Sequence, residues 1–111
     1  MPLTPEQLKS VHIQPLPDRP ERMRYYDSCD EKGQRGLNKA GFWREDEVIR
    51  YVNAKWTAIQ HNLTVGTNLR LMLHDARMEG NHALATVVGG KLGELGDWVS
   101  DNWGEVKGYF R

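Results

Sequence analysis

The residues in this chain best suited to chemistry are an adjacent imidazole and carboxylate, His74-Asp75, with His61 upstream and His82 and Asp97 downstream. Imidazole nitrogens and carboxylate oxygens suit a divalent cation. A site of that kind would make the protein a small metal-dependent hydrolase. The competing reading places both residues on a solvated helix face, where Asp75 and Glu79 flank Arg77. The second reading is favoured, because a single doublet arises easily by chance.

Metal-dependent phosphohydrolases with a His-Asp doublet use these residue types as ligands. The chain is similar to them in residue types alone: it is shorter than is usual in that family, and nothing around the doublet matches their wider pattern. No catalytic residue, metal ligand or cofactor is therefore expected.

Other reactive groups fare no better. Cys29 is the sole cysteine and sits among Asp27, Ser28, Asp30 and Glu31. A catalytic thiol needs neighbouring positive charge or a helix N-terminus, and acidic neighbours push the other way. A small, partly buried side chain is expected there. One cysteine permits no intramolecular disulfide and no cysteine-based zinc site, which favours a reducing compartment. No Gly-x-Ser-x-Gly elbow occurs. Gly89-Gly90-Lys91 lacks the upstream glycine and trailing hydroxyl of a phosphate loop, and it follows a helical pattern instead of a strand.

The ends and the charge bear on location and partners. Met1-Pro2-Leu3-Thr4-Pro5-Glu6 has neither the basic nor the apolar region of a secretory signal. No run approaches the roughly 18 apolar residues that span a bilayer. The expectation is a cytoplasmic protein without membrane contact, in which the sequon Asn62-Leu63-Thr64 is a coincidence. The 111 residues carry 15 basic and 15 acidic side chains, for a net charge of zero. Binding to nucleic acid normally shows a clearer basic excess, so it is disfavoured. Zero net charge also removes one defence against self-association, which leaves a homodimer open.

The elements that would position these groups read as mostly α. Thr4-Pro5-Glu6-Gln7 carries a cap, a first-turn proline and a capping-box partner, for a short helix to about Ser10. Pro15, Pro17 and Pro20 then enforce a stiff extended strap anchored by Val11, Ile13 and Leu16. Residues 18–32 read as a helix stopped by Gly33, or, over Arg22–Tyr26, as an edge strand. Gly33 to Gly41 reads as a polar loop.

Ile49, Val52, Trp56, Ile59 and Leu63 recur at steps of three and four, the mark of one helical face over 45–63. Glu45, Asp46 and Glu47 suit its N-terminus. Thr64-Val65-Gly66-Thr67 is expected to break it before a second helix, 68–79, carrying Leu69, Met72, Leu73 and Ala76. Asn81 caps a third, 82–102, with Leu84, Val88, Leu92 and Leu95 on its apolar face. Gly89, Gly90, Gly93 and Gly96 inside it predict a tight helix crossing or a break near Gly93.

The expectation is thus one domain, 1–111. Residues 1–41 form an extended proline-rich N-terminal arm and loop. Residues 42–111 form a small helical bundle of three main helices with an aromatic C-terminal tail. A non-catalytic protein that binds another protein is expected. Its contact residues are the C-terminal aromatics Trp98, Trp103, Tyr109 and Phe110, or the segment 19–44. Tryptophan and tyrosine are favoured where one side is apolar and the other wet. Small proteins of this kind serve as accessory, assembly or inhibitor proteins, including those of phages and mobile elements. The alternative is a helix-turn-helix regulator of DNA, reading bases from Thr67, Asn68 and Arg70 in the helix after the 64–67 turn.

Overall fold

The computed structural model describes residues 4–9 and 11–109. The described chain is mostly helical and holds no strand. Six α-helices follow in order: α1 Pro5–Lys9, α2 Glu21–Ser28, α3 Glu31–Lys39, α4 Glu45–Met78, α5 His82–Asp101 and α6 Trp103–Val106. A 3₁₀ turn covers Lys107–Tyr109. Two compact units emerge, one from the residues up to Gln14 with those from Ile59 onward, the other from Pro15 to Ala58. The long α4 supplies residues to both.

Several helix ends follow the sequence signals. At α1 the Gln7 amide donates to Thr4 Oγ1 (3.2 Å) and the Thr4 amide to Gln7 Oε1 (2.9 Å), a complete capping box. Gly80 ends α4 in the left-handed region, at φ 71°. There the Asn81 amide donates to Ala76 O and the Gly80 amide to Arg77 O, which satisfies the last carbonyls of the helix. Asn81 then turns donor to acceptor: its side chain takes the Leu84 amide (3.2 Å) and starts α5.

The helical reading of 18–32 holds in part, as α2, while its edge-strand alternative and the polar loop expected over 33–41 give way to helix. Arg22–Tyr26 lies within α2, and Gly33 and Gly36 lie inside α3. The reason is Asp30, whose carboxylate accepts the Gly33 amide at 2.7 Å and caps α3. Gly33 sits tightly at that corner: a Cβ there would meet Asp30 Oδ1 at 3.1 Å and Cys29 Cβ at 3.2 Å. The true stop is Gly41, at φ 70°, with the Phe42 amide reaching back to Leu37 O. Residues 11–20 stay outside any helix, as their prolines require, and short connections fall at 29–30 and 40–44.

The expected break at 64–67 is absent, and α4 runs unbroken through it for 34 residues. Thr67 caps nothing; its hydroxyl donates back to Leu63 O at 3.1 Å. The helix-turn-helix arrangement lacks its turn. α5 likewise shows neither a break nor a tight crossing at its glycines: a Cβ on Gly89, Gly90, Gly93 or Gly96 would meet nothing within 4 Å. The tight contact is at Gly66, on α4, whose missing Cβ makes room for the Leu95 side chain.

The first unit has its core in Leu8, Leu69, Met72 and Val88, with Val11, Val65, Leu73, Leu84 and Leu92 packed on it. Ile59, Asn62, Gly66, Leu69, Met72 and Ala76 are the buried line of α4. Their steps of three and four follow the helical repeat. Buried Asn62 holds residue 14 by both backbone groups, accepting from its N–H (2.8 Å) and donating to its carbonyl (3.0 Å).

Candidate functional site

In the second unit, the backbone of α2 and the segment before α4 are joined by rings. Tyr26 and Trp43 lie 4.6 Å apart, Phe42 and Trp43 5.6 Å, and Tyr25 and Phe42 5.9 Å between centroids. Polar contacts fix the rings: Trp43 Nε1 donates to Asn38 Oδ1 (2.9 Å), and Asn38 Nδ2 donates to the Tyr26 hydroxyl (3.2 Å). Arg22 stacks over Phe42 at 4.8 Å, donates to its carbonyl at 2.9 Å, and brings Nε to 3.6 Å from the Glu47 carboxylate.

Arg19 reaches across to Asp27 at 2.9 Å and lies 5.5 Å from the Tyr51 ring centroid. Burial works to lower its pKa, but the hydrogen bond to Tyr51 and the charge of Asp27 outweigh that and hold it above its ordinary value. The guanidinium is a fixed positive charge.

This arrangement leaves the first apolar turns of α4 uncovered. Ile49 is 50% exposed, Val52 48% and Trp56 42%. Of the apolar face Ile49, Val52, Trp56, Ile59 and Leu63, only Ile59 is fully buried, and Leu63 is half-buried. A groove of about 440 Å³ adjoins it, lined by Arg19, Met23, Trp43, Glu45, Val48 and Ile49. In the first unit a second cavity of about 440 Å³ lies between α4 and α5, with Trp98 in its wall.

The C-terminal aromatics are spread over several settings. Trp98 is half-buried in α5 and Tyr109 half-buried in the 3₁₀ turn. Trp103 opens α6 and is 50% exposed. Phe110 lies outside the described residues. Val106, which the sequence did not single out, is the fully buried residue of this end.

The candidate metal residues are not brought together. His74 Nδ1 and Asp75 Oδ1 are 3.5 Å apart on open surface, with both side chains more than two-thirds exposed. His61 Nε2 lies 3.1 Å from the His12 carbonyl, His82 begins α5, and Asp97 is exposed on the same helix. Among the described residues no group of three or more His, Cys, Asp or Glu could hold a metal ion. Cys29 is half-buried, its thiol 3.4 Å from the Tyr25 carbonyl at the end of α2. No helix among the described residues is long and apolar enough to cross a membrane. Compared with known proteins, the chain matches no family model, no curated protein and no solved structure.

Proposed function

We propose that this protein works by binding another protein, through the apolar face of α4 formed by Ile49, Val52 and Trp56 and the groove beside it. The observation that carries the reading is the exposure of three large apolar side chains in line on one helix face. Contiguous apolar surface of this kind marks interaction sites, whereas single exposed apolar residues do not. The groove rim carries both signs of charge, Arg19 and Glu45. It complements a partner that presents an apolar helix face edged by charges of both signs. Trp103 and Tyr109 supply a second contact region, in keeping with their aromatic, half-exposed character.

The test is site-specific photocrosslinking from position 52 in cells, with position 53 on the neighbouring polar face as control. A discrete adduct from 52, absent from 53 and lost on Ile49→Asp, supports the reading. Mass spectrometry of the adduct separates a different protein from a second copy of this chain. Equal labelling from 52 and 53 overturns it. So does unfolding of Val52→Asp, because substitution of a surface residue usually shifts stability by only about 0.5 kcal/mol.

A further inference from the structure

The cavity between α4 and α5 has the composition of a small-molecule site. Its volume of about 440 Å³ falls within the roughly 300–1,000 Å³ of ligand pockets. Leu63, Leu92, Leu95, Trp98 and Val99 make its walls apolar. Two of its three polar residues are committed to the fold. Asn62 is engaged by the backbone of residue 14, and the Thr67 hydroxyl by the Leu63 carbonyl. The third, Arg70, is the one charged residue of the lining, and it is exposed.

Gly96 completes the wall. A glycine inside a helix costs stability relative to alanine, and no neighbour packs against this one, since a Cβ there would meet nothing within 4 Å. Gly96 lies at the exposed part of the lining, where a longer side chain has room to extend. An apolar chamber with a single guanidinium on its lining suits a molecule with an apolar body and one anionic group, because the carboxylate can take paired N–H bonds from arginine while the body stays out of water.

We infer that this cavity binds a small amphipathic carboxylate, an acyl or aryl acid, with its apolar body beside Trp98 and Val99 and its carboxylate on Arg70. The site uses none of the residues of the α4 docking face, and the two readings stand or fall separately.

Calorimetric titration of the full chain with octanoate tests it, with octanol and octylammonium as neutral and cationic counterparts. Saturable one-to-one binding of octanoate is expected, weakened about tenfold or more by Arg70→Gln. Octanol and octylammonium should bind no better than octanoate binds that variant. Gly96→Leu fills the chamber and should abolish binding without lowering the melting temperature. Methyl resonances of Leu92 and Val99 in the unaltered protein should shift with octanoate, which locates the ligand independently of any variant. Absence of saturable octanoate binding overturns the inference, as does equal affinity for the three probes. Full binding by a folded Gly96→Leu, or methyl shifts confined to residues elsewhere, also overturns it.

Discussion

Gly66 of α4 sits against Leu95 of α5 so closely that a Cβ on Gly66 would come within 2.7 Å of Leu95 Cδ2. This contact explains why a glycine stands in the middle of a 34-residue helix. Its conformational cost is offset by the Leu95 side chain, which takes the space a Cβ would need. Gly66→Val is therefore expected to destabilise by roughly 1–3 kcal/mol through overpacking. Gly93→Ala, facing open space, should stabilise by about 1 kcal/mol through helix propensity. Urea unfolding of the two variants checks the opposite signs.

Asn62 is fully buried and spans both backbone groups of residue 14. Asn62→Leu keeps the volume but strands those groups. A loss of about 1–3 kcal/mol is expected. Hydrogen exchange at the Gln14 amide should rise at the same time, and unchanged exchange would show that the tie is unimportant. The same burial leaves no room in the folded protein for a glycan on Asn62 of the Asn62-Leu63-Thr64 sequon.

Asp30 caps α3, a helix with two internal glycines and little propensity of its own. Asp30→Ala should cost about 1 kcal/mol. Because α3 is short, helical signal by circular dichroism should fall along with the melting temperature. A stability loss with full retention of helix would place the effect elsewhere.

Trp43 joins a ring contact to Tyr26 with a hydrogen bond to Asn38. Trp43→Phe keeps an aromatic ring and drops the N–H, for an expected loss of about 1 kcal/mol. Trp43→Ala removes both, for roughly 2–3 kcal/mol. Equal losses in the two variants would mean that the ring itself contributes nothing.

Local signals in the sequence were sufficient wherever the physics is local. The capping box of Thr4 and Gln7, the left-handed stop at Gly80, the Asn81 cap and the span of α5 all rest on groups within a few residues of one another. The mostly helical class follows from the same periodicity. One misreading was also local in kind: the Asp30 cap was present in the sequence, but the glycines that follow it masked a helix.

Tertiary structure alone decided the rest. Whether Gly66 breaks a helix or admits a neighbour depends on Leu95, 29 positions away. Whether Ile49, Val52 and Trp56 are core or surface depends on which rings pack nearby, and a three-four repeat is the same in both cases. Periodicity reports that a face is apolar; only the arrangement of other segments determines whether that face meets protein or water.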